Sequence, residues 1–413
     1  MKNTLTNEQR ALLKIISKTV FSGEGDIGNT VFDAGKMLEE AGHQAVIPIA
    51  FEGCIDNNID LNGSAYMEYF KKTAKISAKN ENLLHVQDIC VKAFKDEGIP
   101  FAVIKGAAVS CMYPDPEIRS MGDVDILVDK GCFERSKEIL IKNGFVYKGG
   151  EGDIHREFTM NGCVLELHFE VNGIPKGEKG EIIRDFISNG VFDTEECSFG
   201  EHTFPVPMPH IHGVILLLHL YQHFQTGGVG LRHICDWGAF SLKYLNNSEK
   251  CYEILDKFKE LSVYEFSRIM TCAARECFDI PFEFEWLSED DRSNSGTIDS
   301  QLVCELIYDV FEGGNFGYKN PEERYMSDIL VKREGQEQKG AVSRGISNFK
   351  SRINTSMPST KKHPALIAVA PVYIPVRYIY RVATGKRKKV NPIKMVQKSS
   401  KRRALYDQFE MFK

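Results

Sequence analysis

Two aspartates separated by one residue, Asp123 and Asp125, sit in the run RSMGDVDILV (residues 119–128), which otherwise has the character of a buried strand. Alternate side chains of a strand share a face, so Asp123, Asp125 and Leu127 point one way and Val124, Ile126 and Val128 the other. The apolar set suits a layer of helices. The two carboxylates would lie roughly 6–7 Å apart along the backbone and, at an effective dielectric near 20, would repel by about 2–3 kcal/mol. A strand end holds such a pair cheaply only beside positive charge. A third acid comes from a later alternating stretch, where Glu166, His168 and Glu170 share a face.

An acid pair at i, i+2 with a third carboxylate on a nearby strand suits Mg²⁺, a hard cation that takes oxygen ligands and shares them with substrate phosphates. Two such ions can clamp an in-line phosphoryl displacement, one activating the attacking hydroxyl and one neutralising the leaving pyrophosphate. Upstream, Gly106 closes a strand just before a short helical stretch, where backbone amides can hold phosphate oxygens.

The elements that must position these groups are legible in outline. Residues 1–97 read mostly as helices, and NLLHVQDICVKAFKDEG (82–98) has Leu83, Val86, Cys90 and Phe94 at helical spacing with Gly98 as a stop. A strand PFAVIKG (100–106), a brief helix AAVSCMY and a proline-rich loop PDPEIRS precede the aspartates, and a helix CFERSKEILIKNGF (132–145) follows them. HREFTMNGCVLELHFEV (155–171) reads as a hairpin, because Asn161-Gly162 is the pair favoured by a type I′ turn. The expectation is an α+β fold: a small mixed sheet with helices on one side, a helical region from Pro209 to about Tyr308, and a loop-rich segment over 312–362. The divisions expected are 1–80, 81–205, 206–311 and 312–413.

The block IPFAVIKGAAVSCMYPDPEIRSMGDVDILV resembles the signature of the nucleotidyltransferase superfamily, the fold shared with DNA polymerase beta, and is most similar to its bacterial branch of uncharacterised nucleotidyltransferases. The matching residues are Lys105-Gly106, Tyr113-Pro114, Arg119, Gly122 to Val128, and Glu166-Leu167-His168; LRHICDWGAF is similar to that branch's downstream region. The likeness spans roughly residues 30–310. It implies that Asp123 and Asp125 bind the metal ions that chelate an NTP triphosphate, that Glu166 completes the site and helps deprotonate an acceptor, and that Gly106 lets the triphosphate approach the backbone. Lys105 and Arg119, cations flanking the acids, are candidate phosphate contacts. His168 either orients a phosphate or acceptor or bonds a neighbouring carboxylate. The chain departs from the superfamily at Ala107, where Ser is usual.

The activity implied is Mg²⁺-dependent transfer of a nucleoside monophosphate, with ATP as the donor, to an unidentified hydroxyl. Rival readings are an inactive binding module on the same fold and a protein-modifying adenylyltransferase of toxin–antitoxin type. His219 and His223 are at i, i+4 but lack the intervening Glu of a metalloprotease helix, and read as core or site-wall histidines. Arg232 and Asp236, also at i, i+4, read as a structural ion pair, and the resemblance allows them a place near the cleft.

Eleven cysteines without a Cys-x-x-Cys pair argue for reduced thiols in a cytoplasm and against a structural zinc site. The net charge of −5 hides an asymmetry: residues 341–413 carry 17 Lys and Arg against two Asp and Glu, a balance of +15 that leaves −20 for residues 1–340. In that tail HPALIAVAPVYIPVRYIYRVATGKRKK (363–389) is apolar, but Pro371, Pro375 and Arg377 make it a poor transmembrane helix. Its aromatic and basic residues suit a membrane surface, a nucleic-acid backbone, or packing on the acidic body.

Overall fold

In the computed structural model, residues 5–25, 27, 31–149, 154–226, 228–287, 298, 300–317, 319, 369–384 and 401–412 are described. Three short helices open the chain: α1 (Asn7–Phe21), α2 (Ala34–His43) and α3 (Ile47–Asp56). Thr6 and Gln9 form a capping box on α1, and Asp33 accepts the Lys36 amide at the start of α2. The long α4 (Gly63–Asp96) then runs unbroken across position 80. Apart from Tyr69, its buried residues begin at Asn80, so the second half of α4 packs on the body and the first half projects.

The sheet has five strands: β1 (Phe101–Val103), β2 (Val124–Val128), β3 (Val146–Gly149), β4 (His155–Met160) and β5 (Cys163–His168), in the order β1-β2-β5-β4-β3. Only β2 and β5 are parallel. Asn161 and Gly162 both have positive φ, 50° and 77°, as a type I′ turn requires, and they join β4 to β5 with Met160 opposite Cys163. The strand expected over 100–106 stops at Val103, because the chain turns at Lys105-Gly106 to start the four-residue α5 (Ala107–Ser110). α6 (Phe133–Lys142) follows β2 and ends before Gly144, whose φ is 89°.

Val124, Ile126 and Val128 pack with Leu83, Val86, Phe94 and Leu140 of α4 and α6, the helical layer expected on one side of the sheet. The other face is covered as well. Ala102 and Leu127 join a larger apolar cluster built from α1–α3 and the later helices α8 (Pro209–Thr226), α9 (Leu231–Tyr244), α10 (Glu249–Glu260) and α11 (Tyr264–Phe278). α7 (Glu178–Ser188) and a hairpin of β6 (Thr194–Phe199) and β7 (His202–Pro207) connect the two layers. That hairpin escapes a sequence reading because Cys197, Phe199, Phe204 and Val206 alternate only weakly among charged residues.

A further helix, Ser300–Gly313, carries Asp309, which receives Arg402 and, at 2.7 Å, the hydroxyl of Tyr406. The tail therefore returns to the body, where Phe409 is fully buried. Most of 312–362, expected to be loop-rich, lies outside the described residues. No described helix is long and apolar enough to cross a membrane, and all eleven cysteines are free.

Candidate active site

The parallel pairing of β2 with β5 sets Asp125 beside Glu166 and Leu127 beside His168. Partners in register carry their side chains on the same face, so Glu166 faces the side on which Asp125 lies. Asp123 precedes β2 by one residue. All three acids line a cleft of about 260 Å³ whose floor includes Lys105 and Gly106 and whose far wall is α8 and α9. Glu170, the rival for the third position, lies beyond the end of β5 and pairs with Arg184 at 2.9 Å.

Asp125 is 2% exposed. Its Oδ1 meets Lys105 Nζ at 2.6 Å and His168 Nε2 at 3.0 Å. Burial pushes its pKa up, but Lys105 and His168 outweigh burial and hold it below the carboxylate range. His168 also lies 3.2 Å from Glu166 Oε2, a contact that lowers the Glu166 pKa. Burial works against a charged His168, yet bonds to the two acids raise its pKa. Of the two roles open to His168, the structure therefore places it on neighbouring carboxylates.

Asp123 is left under-neutralised. Repulsion from Asp125, then burial, pushes its carboxyl up to about 6 against the pull of Lys105. Around these acids, the group whose ligand atoms lie within 4.8 Å of one another is His155, Glu166 and His168; Asp123 and Asp125 line the same cleft as oxygen donors of the kind a hard divalent cation takes. A proton and a cation bound at this site would compete for Asp123. Its folded pKa of about 6 exceeds the ordinary 3.8, so the stability it lends is full below about pH 4 and lost as pH rises through 6. Saturating Mg²⁺ is thus expected to stabilise the protein by on the order of 1–2 kcal/mol more at pH 8 than at pH 5. Thermal melts at the two pH values check this, and equal shifts would remove Asp123 from the site.

Gly106 has φ 53° and ψ −115°, and a Cβ there would lie 3.2 Å from the Asp123 carbonyl. The turn and the acid loop thus touch through backbone. Gly106→Ala is expected to cost about 1–2 kcal/mol, the penalty of a positive φ for an L-residue, and chemical denaturation measures it.

The expected phosphate contact Arg119 has a different assignment in the structure. Its Nε and Nη2 chelate Asp236 at 2.7 and 2.8 Å, and its Nη1 donates to the Gly106 carbonyl at 3.0 Å. Arg119 is 5% exposed. The same Asp236 accepts the Tyr113 hydroxyl at 2.7 Å, and Asn80 on α4 ties the backbone of Arg119 and Met121. Asp236 is thus gripped by Arg119, and Arg232, one helical turn before Asp236, donates to the Ser120 carbonyl at 3.2 Å and lines the cleft with that acid. A partner 117 residues away leaves no local trace, whereas an i, i+4 pair suggests itself on a helix.

The far wall adds three imidazoles. His219 and His223 face each other with Nε2 atoms 3.1 Å apart, and His233 joins them with its ring centre 5.1 Å from that of His223. One ligand atom from each lies within 4.8 Å of the others, so the trio can hold a metal of the kind that takes nitrogen ligands. Burial drives the pKa values of His219 and His233 far below the ordinary range, which leaves both neutral. His219 and His223 are site-wall histidines; His233, whose only sequence signal is its place in LRHICDW, was not anticipated. His155, 3.9 Å from Glu166 across the hairpin, was missed as well.

The profile of a family described as uncharacterised nucleotidyltransferase matches residues 30–279, a span holding every cleft residue named above. Among curated proteins none matches the chain.

Proposed function

The chain belongs to the uncharacterised nucleotidyltransferase family, and from that premise we propose that it moves a nucleoside monophosphate from an NTP, ATP foremost, to an acceptor hydroxyl. The observation that carries this reading is the register Asp125↔Glu166 on parallel strands, with Asp123 one residue ahead of β2, beside the Gly106 turn. In the reaction an acceptor oxygen bonds to the α-phosphorus as the bond to the bridging oxygen breaks, and pyrophosphate departs with that electron pair.

Asp123, Asp125 and Glu166 would hold the Mg²⁺, in one or two ions. Bound there, the metal would supply neutralisation of the triphosphate and a more acidic acceptor hydroxyl. The protein's own groups do the rest. Gly106 admits phosphate to the backbone, since no Cβ stands there. Lys105, 19% exposed and already in the cleft, supplies a point charge for a phosphate oxygen. His168 keeps Asp125 and Glu166 ionised, so that Glu166 accepts the hydrogen bond of the attacking hydroxyl as its proton leaves. Fixing these groups on two strands before substrate arrives is the main source of rate.

A second reading has its own support. The Lys105 ammonium sits 2.6 Å from a metal-binding candidate, and Ala107 removes a phosphate hydrogen bond, both of which favour a nucleotide-fold module that binds without turnover. Pyrophosphate release across a panel of small hydroxylic acceptors and co-expressed proteins tests the first reading, the protein arm covering an adenylyltransferase of toxin–antitoxin type. Calorimetric binding of ATP with Mg²⁺ in the absence of any release would favour the module. In the proposed reading the enzyme works in the cytoplasm, and its basic tail suits a membrane surface or a nucleic-acid backbone.

A further inference from the structure

The helix Ala370–Ala383 leaves a continuous apolar face uncovered. Val372, Val376, Ile379 and Tyr380 are 67%, 58%, 64% and 60% exposed. At 100° per residue these four, together with Val369, Tyr373 and Ala383, fall within an arc of about 120°. Arg377 and Arg381 lie about 40° and 80° beyond one edge of that arc. Among the described residues six of the eighteen large exposed apolar side chains fall within twelve consecutive positions here, against three in the smaller group of Tyr66, Met67 and Phe70 on α4. Contiguous apolar surface of this kind marks a docking face.

We propose that this helix lies flat on an anionic membrane surface, its apolar arc in the acyl boundary and its arginines among the headgroups. Charge complementarity selects the occupant. The helix sits inside a tail with a balance of +15, and Lys386-Arg387-Lys388-Lys389 follow it directly in sequence. A nucleic-acid backbone would use those cations and leave the apolar arc in water. An anionic bilayer uses both. Fourteen residues rise about 21 Å, short of the roughly 30 Å hydrocarbon core, so the helix rests on the surface and does not span it. Downstream, Arg402, Tyr406 and Phe409 dock on the body, so an attached helix would hold the whole protein at the lipid. The inference is independent of the chemistry in the cleft.

Co-sedimentation of the full chain with vesicles tests it. Vesicles of phosphatidylcholine with about a third phosphatidylserine are expected to bind at least tenfold more tightly than phosphatidylcholine alone, and half-molar salt should weaken the binding. Val376→Glu with Ile379→Glu is expected to reduce binding at least tenfold while circular dichroism and the thermal midpoint stay unchanged. Equal binding by the double variant would overturn the proposal. So would absence of binding to anionic vesicles, whether accompanied by a dimer in light scattering that the double variant dissolves or by tight binding to duplex DNA or RNA that the variant retains.

Discussion

Asp123→Asn is expected to abolish nucleotidyl transfer while making the metal-free protein more stable. Most active-site substitutions either weaken the fold or leave it alone, so the two signs together are diagnostic. Asp123 is crowded by Asp125 in a buried setting, which is why its carboxyl stays protonated up to about pH 6. Removing its charge removes that repulsion, and at pH 8 with a chelator present the gain should be on the order of 1–2 kcal/mol. The same change deletes a candidate metal ligand, for which a fall of at least about 10³ in turnover, roughly 4 kcal/mol of barrier, is expected. Asp125→Asn makes a poorer test, because it strips Lys105 and His168 of their shared partner and destabilises through the buried cations left behind. Pyrophosphate release and thermal melts with a chelator read both signs. Retained turnover would show that Asp123 is not needed for the chemistry, and a drop in stability would show that it is a structural acid.

The second large effect is expected at Arg119. Arg119→Ala leaves the Asp236 carboxylate buried with its bidentate partner gone, a situation that typically costs about 3–5 kcal/mol. It also releases the Gly106 carbonyl, so the turn facing the acids loses its brace. Arg119→Lys should recover little, since an ammonium cannot reproduce the two-pronged contact at 2.7 and 2.8 Å. Chemical denaturation of Arg119→Ala, Asp236→Ala and the double variant should give a coupling of at least about 2 kcal/mol. Were Arg119 a phosphate contact, its loss would raise KM for the nucleotide with the unfolding midpoint intact. The structure predicts the opposite split: stability falls first, and the nucleotide KM of the folded fraction changes less than its turnover.

How much of this was visible in the chain divides along physical lines. The type I′ turn at Asn161-Gly162 is local chemistry, and it was legible because both residues need positive φ. Asp123 and Asp125 stood out because charge inside an apolar strand demands a reason. Whether Glu166 or Glu170 joined them was undecidable from alternation alone, since both share a face; the end of β5 at His168 separates them. The choice of Arg119 as partner of Asp236 was not legible either, because it depends on how α9 meets the loop before β2, a contact between elements more than a hundred residues apart. The covering of the second face of the sheet was missed for the same reason: Ala102 and Leu127 look like ordinary strand residues until α8 and α9 pack over them. His233 and His155 reach the cleft through tertiary placement that no local pattern encodes.

The proposal that three acids share one divalent cation is tested most directly by calorimetric titration of Mn²⁺ into protein holding a non-hydrolysable ATP analogue. The wild-type chain is expected to bind the metal, and Asp123→Asn, Asp125→Asn and Glu166→Gln should each weaken that binding at least tenfold. Affinity unchanged in all three variants would contradict the account.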